Sequence, residues 1–181
     1  MDPFSSVNRS ALRWIRTAGS RHDFDLFAGE AQIGHLRWHR TGGSLSTFET
    51  SDHQWTLKRG GFLAPHVTIR DATSDQEIAR LAAHVNFSVL TVRGGGIYRL
   101  QRAGLLVPAW QFTNASGKLL LHIEPVREGR QLVGGVVETE EAGQRLDALP
   151  LLAAVSWYYI VLAWFEDEAI AASQVVLSAA S

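Results

Sequence analysis

The chain has 181 residues, of which 46% are hydrophobic and 19% are charged. This length and composition are typical of one globular domain with its own hydrophobic core. The chain contains no cysteine, which excludes disulfides, cysteine-ligated zinc, iron–sulfur clusters and a thiol nucleophile. The formal net charge of −1 is not that of a nucleic-acid-binding polycation, so no nucleic-acid partner is expected.

The first twenty residues are polar with scattered apolar side chains, among them Leu12, Trp14 and Ile15. We interpret residues 1–20 as an N-terminal arm or a first strand. They contain no apolar stretch of the kind that forms the core of a secretory signal. We therefore expect a cytoplasmic protein that can associate with membranes.

From residue 22 to about residue 139 the chain consists of short apolar and aromatic runs separated by clusters of Gly, Asn, Asp and Ser. This pattern is typical of an antiparallel all-β domain. It predicts eleven strands, at residues 23–28, 32–39, 45–50, 54–59, 66–71, 77–84, 87–93, 97–102, 109–113, 119–124 and 131–139. In several of them apolar and polar residues alternate, which predicts strands that bury one face.

Glycines modify this pattern at a few positions. Gly34 and the pair Gly134 and Gly135 interrupt the alternation, which is compatible with β-bulges. Three consecutive glycines at residues 94–96 lie between two predicted strands, where a hairpin turn is expected rather than a nucleotide-binding loop.

Residues 148–165 contain no charged side chain. Asp147 and Pro150 are typical of an N-cap and an early helical proline. A helix that is apolar all round is either buried on every side or spans a membrane. Its length of about 27 Å is close to a bilayer core of about 30 Å, but acidic residues 166–168 follow it instead of the basic residues typical of an anchor.

Burial inside a closed barrel satisfies both the one-sided strands and the apolar helix. We therefore predict a mainly β (α+β) fold, a closed antiparallel barrel of about twelve strands that encloses a hydrophobic C-terminal helix. The barrel domain spans residues 21–172 with its core helix at about 148–168, and residues 173–181 form a C-terminal tail. Residues 169–181 are expected either to extend the helix or to fray. The predicted core positions of the helix are Leu149, Leu152, Val155, Trp157, Tyr159, Ile160 and Trp164.

The order of these parts resembles the tubby C-terminal-like superfamily, which includes the LURP-one-related proteins and the phospholipid scramblases. The matching segments are an aromatic and basic strand at 55–59, a hairpin at 67–80, aromatic strands at 98–100 and 110–112, leucines at 119–121, and the apolar run at 149–165. The resemblance implies a twelve-stranded barrel threaded by its C-terminal helix. It also implies lipid-related functions, since tubby domains bind phosphatidylinositol bisphosphate through basic residues and scramblases are linked to lipid movement and calcium. The chain lacks the lysine-rich cluster of tubby and the proline-rich leader and cysteine cluster of scramblases.

No catalytic or metal-binding motif is present. His35 and His39 lie on one predicted strand, about 13 Å apart, too far for a shared metal. Glu138, Glu140 and Glu141 lack the spacing of a calcium loop. We therefore expect no enzymatic activity, no metal and no cofactor.

The remaining candidates are basic side chains on predicted strands. Arginine and lysine on one barrel face could bind the phosphate of an anionic lipid headgroup by charge-assisted hydrogen bonds. The candidate residues are Lys58, Arg59, Arg70, Arg80, Arg99 and Arg102. The predicted function is the binding of an anionic phospholipid or a membrane surface. The alternatives are a scaffold with a protein partner and no ligand, or a scramblase-like protein anchored in the membrane by its C-terminal helix.

Overall fold

A computed structural model describes residues 1–4, 6–40, 43–104 and 108–179, with side chains up to residue 171. It contains one closed antiparallel barrel of twelve strands, in which each strand pairs with its neighbours in the chain and the first strand closes on the last. The strands are β1 (Ala11–Arg16), β2 (Phe24–Ala28), β3 (Ala31–Trp38), β4 (Leu45–Glu49), β5 (Gln54–Gly60), β6 (His66–Asp71), β7 (Glu77–Ala83), β8 (Ser88–Val92), β9 (Ile97–Ala103), β10 (Ala109–Asn114), β11 (Leu119–Glu128) and β12 (Gln131–Thr139). Two helices follow, α1 (Glu141–Gln144) and α2 (Leu149–Ala179).

The predicted fold class is confirmed. The eleven strands expected between residues 23 and 139 are all present, and β1 is the twelfth. β11 extends beyond the predicted end at residue 124, because it stays paired with β12 as far as Glu128 opposite Gln131. The bulges expected around Gly34 and Gly134 are also present. In β3 the pairing with β2 skips Ile33, and in β12 the pairing with β11 skips Val133.

Helix α2 runs through the barrel and fills it. Leu149, Leu152, Val155 and Trp157 are fully buried. By length and composition, the segment from Leu149 to Ala171 is apolar enough to cross a membrane. However, 78% of its apolar 18-residue stretch is buried inside the protein. The inward faces of the strands and this helix therefore form one hydrophobic core.

The start of α2 differs from the predicted one, and its end agrees with one of the two predicted alternatives. The carbonyl of Ala148 accepts the first helical hydrogen bond, from the Leu152 N–H at 2.9 Å. Because that acceptor defines the N-cap, Asp147 lies one residue before the cap and the N-cap expected there is wrong. At the other end the helix continues to Ala179, so the residues after 168 extend the helix, which is one of the two predicted alternatives.

A glycine in the barrel wall lets the helix approach closely. A Cβ atom at Gly135 would lie 2.4 Å from the ring of Trp157. That ring stacks on Trp14 of β1, with centroids 5.5 Å apart and planes 8° apart, and meets Phe24 of β2 edge to face. Gly135 in β12 therefore makes room for the ring of Trp157.

The two ends of the barrel are built differently. At the entry end, where α2 begins, Phe4 is buried, and Arg9 donates hydrogen bonds to the carbonyls of Phe4 at 3.0 Å and Gln144 at 3.1 Å. The N-terminal segment and α1 therefore pack together at this end. The exit end, where α2 leaves, consists of the β1–β2, β3–β4, β5–β6, β7–β8, β9–β10 and β11–β12 connections.

Substituting Leu152 tests whether α2 is the barrel core. Leu152→Asp places an unpaired carboxylate in a fully buried position, which costs several kcal/mol and should abolish cooperative unfolding. Leu152→Met keeps the volume and should cost less than about 1.5 kcal/mol. The measurement is thermal unfolding followed by circular dichroism. A soluble, stable Leu152→Asp variant would contradict the core assignment.

Candidate functional site at the exit end

Tyr158 joins α2 to the barrel wall at the exit end. Its hydroxyl donates to the carbonyl of Ser44 and accepts the backbone N–H of Arg59 at 2.9 Å. Its ring stacks on Trp38, with centroids 5.3 Å apart. Burial raises the pKa of Tyr158 above its ordinary value, so the hydroxyl keeps the proton that it donates. One side chain thus links the helix to the β3–β4 connection and to β5.

The acidic residues that follow the apolar run are partly used in ion pairs with the wall. The guanidinium of Arg59 forms an ion pair with Glu166, and this hydrogen bond raises the pKa of Arg59. Arg127 lies 3.7 Å from Asp167. The Trp164 indole N–H donates to the carbonyl of Arg130 at 3.0 Å. Exposed pairs of this kind contribute little stability, but they neutralise two of the acidic groups at this end.

Two neighbouring loops at the exit end present apolar side chains to solvent. Phe62 and Leu63 of the β5–β6 loop are 98% and 94% exposed, and Val85 of the β7–β8 loop is 98% exposed. The two loops are adjacent, because the N–H of Ala83, where the second loop begins, donates to the carbonyl of Pro65, where the first loop ends, at 3.1 Å. The sequence analysis missed these residues. The available signal was an apolar pair inside a turn bounded by glycine and proline.

Four of the six predicted cations lie near these loops. Lys58 and Arg59 end β5 just before the first loop and are exposed. Beside the second loop, the guanidinium of Arg99 lies 3.9 Å from the ring centroid of Phe87, and that of Arg102 lies 5.8 Å from the ring centroid of Trp110. In the described part of the chain no carboxylate lies within ion-pair distance of Lys58, Arg99 or Arg102.

The other two predicted cations, Arg70 and Arg80, have carboxylate partners in the β6–β7 hairpin, although Arg70 lines one surface groove together with Lys58 and Arg59. Arg70 forms an ion pair with Asp75 at 2.9 Å, across the β6–β7 turn at the entry end. Two nitrogens of Arg80 donate to the two carboxylate oxygens of Glu77, each at 2.9 Å, and this hydrogen bonding lowers the pKa of Glu77. Four of the six predicted residues therefore lie near the exit-end loops, where Arg59 is paired with Glu166, and the other two are paired with carboxylates of the β6–β7 hairpin.

The charges are also polarised along the barrel axis. At the exit end, basic residues outnumber acidic ones: Arg16, Arg21, Arg37, Arg40, Lys58, Arg59, Arg99, Arg102, Arg127 and Arg130 against Asp23, Asp25, Glu128, Glu166, Asp167 and Glu168. At the entry end acidic residues predominate: Asp2, Glu30, Glu49, Asp52, Asp71, Asp75, Glu77, Glu138, Glu140, Glu141 and Asp147 against Arg9, Arg13, Arg70, Arg80, Arg93, Lys118 and Arg145. The near-zero net charge conceals a positive exit end and a negative entry end.

The structure shows where the sequence-level metal candidates lie. His35 pairs with Asp25 at 2.7 Å, and His39 contacts the hydroxyl of Thr47 at 2.7 Å, so the two histidines have different partners. Over the described ranges, no three or more His, Asp or Glu side chains are grouped so that they could hold a metal ion.

A cavity of about 90 Å³ lies between α2 and the wall strands at the exit end, lined by Val67, Leu81 and Leu162 with Arg59 and Glu166 among its polar residues. Small-molecule sites typically have about 300–1,000 Å³. The cavity is therefore too small for an ordinary ligand.

Fold and site together define a closed twelve-stranded barrel threaded by its C-terminal helix, with a basic exit end that carries apolar loop tips. Comparisons with protein-family models, curated proteins and solved structures gave no match for this chain. The resemblance to the tubby C-terminal-like superfamily therefore stays a prediction.

The role of Tyr158 is testable by removing one oxygen atom. Tyr158→Phe leaves the Arg59 N–H and the Ser44 carbonyl without this partner, which should cost about 1–3 kcal/mol. Tyr159→Phe is the matched control, because the Tyr159 hydroxyl makes no hydrogen bond within the described residues while its ring meets Trp110. Thermal unfolding of both variants gives the comparison. Equal stability of the two variants would contradict the linking role of Tyr158.

Proposed function

We propose that the protein is a non-enzymatic module that binds anionic membrane surfaces through its exit end. The observation that carries this proposal is the polarised charge, positive around the helix exit and negative around the helix entry. The fold by itself does not identify a ligand. The charge distribution supports a negatively charged partner and one orientation toward it.

The exit-end cations are suited to act on a charged surface. Each Lys or Arg held near an anionic leaflet contributes about 1 kcal/mol to binding, and this effect decays within one Debye length, about 8 Å at physiological salt. A strand of six residues spans roughly 20 Å, so the acidic entry end is largely screened from a membrane at the exit end. The separation of charge between the two ends of the barrel, rather than the net charge, therefore governs attraction to the surface.

Burial of α2 supports a peripheral module over a helix-anchored one. Leaving the barrel for a bilayer would expose the wall residues that contact the helix, among them Trp14 and Phe24, which pack on Trp157. The architecture is the one implied by the resemblance to the tubby C-terminal-like superfamily, which we keep within this proposal. A cytoplasmic location belongs to the same proposal, because anionic lipids give the cytoplasmic leaflet its negative potential.

Paired substitutions of the predicted cations test the proposal. Arg99→Gln with Arg102→Gln removes two unpaired exit-end charges and should weaken binding to vesicles containing phosphatidylserine by about 2 kcal/mol, roughly 30-fold. Co-sedimentation at low and high salt is the measurement, with neutral phosphatidylcholine vesicles for reference.

The control is Arg70→Gln with Arg80→Gln, which removes the same number and type of charges from residues that already have carboxylate partners. This variant should bind much like the parent protein. Equal losses in the two variants would show that only overall charge matters. If the parent protein fails to bind anionic vesicles at low salt, the proposal is wrong and the scaffold with a protein partner is favoured.

A further inference from the structure

We propose that Phe62, Leu63 and Val85, here called the apolar tips, insert into the interfacial layer of the anionic membrane, so that the barrel docks with its exit end toward the bilayer. This inference rests on the proposed function and adds how the surface is held. Insertion of the apolar tips adds a hydrophobic contribution to the electrostatic binding of the membrane surface.

The exposure of these side chains is unusual. Single exposed apolar residues are normal on soluble proteins, but a concentration of them marks an interaction surface. Apolar side chains at the other end of the barrel and on the wall are less exposed, such as Ile97 at 54% and Val136 at 40%. The three apolar tips exceed 90% and come from two adjacent loops, so they can enter one surface together.

The backbone holds the first loop in the conformation that projects its tip. Gly61 has φ +77°, and a Cβ atom there would lie 2.2 Å from the Ala64 carbonyl oxygen. The ring Nδ1 of His66 lies 3.0 Å from the same oxygen. A glycine and a local hydrogen bond therefore define this turn, with Phe62 and Leu63 at its outer side.

The second loop is held in a comparable way. The His84 N–H donates to the Phe87 carbonyl at 2.8 Å, and the rings of His84 and Phe87 stack with centroids 4.8 Å apart. Phe87 is folded back under Arg99. The larger apolar side chain of this loop thus packs on the wall, while Val85 points into solvent.

The surroundings favour an anionic bilayer as the occupant. Neither loop contains an acidic residue, and each is flanked by cations: Lys58 and Arg59 beside the first, Arg99 and Arg102 beside the second. This combination of protruding apolar groups and adjacent positive charge matches the acyl boundary and the headgroup layer of an anionic membrane. A fluid bilayer also accepts convex tips without needing a complementary pocket.

Helix α2 leaves the barrel at the same end and is compatible with this orientation. Glu166 and Asp167 are paired with Arg59 and Arg127. Residues 169–179 contain no charged residue in the sequence. Glu168 has no ion-pair partner among the described residues, so it is the one carboxylate of the acidic run that docking brings unpaired toward the headgroup layer.

The first test is Phe62→Ser with Leu63→Ser in the full chain, measured by co-sedimentation with phosphatidylcholine vesicles containing phosphatidylserine. The double variant keeps every charge, so it should still be attracted at low salt but bind tenfold or more weakly and be released completely at high salt. The parent protein should retain binding at high salt. The matched control is Ile97→Ser with Val136→Ser, which removes exposed apolar groups away from the tips and should bind like the parent.

The second test uses the absence of cysteine from the chain. Leu63→Cys and Ile97→Cys each provide a single site for an environment-sensitive fluorophore. With anionic vesicles, the emission of the fluorophore at position 63 should shift to the blue and increase in intensity. The emission of the fluorophore at position 97 should not change. Neutral vesicles should produce neither change.

The outcomes separate the two proposals. If the parent binds anionic vesicles but the double serine variant binds equally and the probe at position 63 does not respond, insertion is overturned and surface binding stands. If the parent binds no vesicle, the proposed function fails and the inference fails with it. If the parent instead forms a dimer that the serine variant loses, without vesicle binding, the tips are a protein-docking surface and insertion is overturned.

Discussion

The apolar helix inside the barrel is the constraint on which the rest of the structure depends. The strands turn one face of large side chains inward, and α2 is what fills the space between them. Trp157 shows the tightness of this fit, since it stacks on Trp14 on one side and needs the missing side chain of Gly135 on another. Protein interiors are packed at crystal-like density, so the wall and the helix specify each other.

Threading a helix through a barrel makes its two ends unequal. At the entry end the chain must turn from β12 into the helix, and α1 and the N-terminal residues around Phe4 are packed there. At the exit end the helix needs only to be held, and Tyr158 does so by bonding two strand ends at once. The loops between the strands at the exit end are therefore not needed to hold the helix, and their conformations can serve a function. The apolar tips and their neighbouring cations occupy this end.

The arginines show how ion pairing, rather than residue type, decides which charges are available. Arg70 and Arg80 have carboxylate partners a few residues away in their own hairpin. Arg99 and Arg102 lie over aromatic rings instead, an arrangement that positions a guanidinium without neutralising it. Arg59 is paired with Glu166, so Lys58, Arg99 and Arg102 are the predicted cations that have no carboxylate partner within the described residues. They lie next to the most exposed apolar residues described in the barrel.

The sequence by itself determined the local elements: alternation and turn residues predicted eleven strands, and the uncharged run at 148–165 predicted a buried helix. These are properties of residues close together in the chain, so the periodicity of apolar residues and its interruptions reveal them. Only the tertiary structure decided that β1 closes the barrel on β12, that residue 147 precedes the helix cap, that Tyr158 rather than Tyr159 links helix to wall, and which arginines are paired. It also decided that Phe62 and Val85 lie at the same end of the barrel. The reason is physical: pairing and exposure depend on distances between residues far apart in the chain, which a linear pattern does not contain.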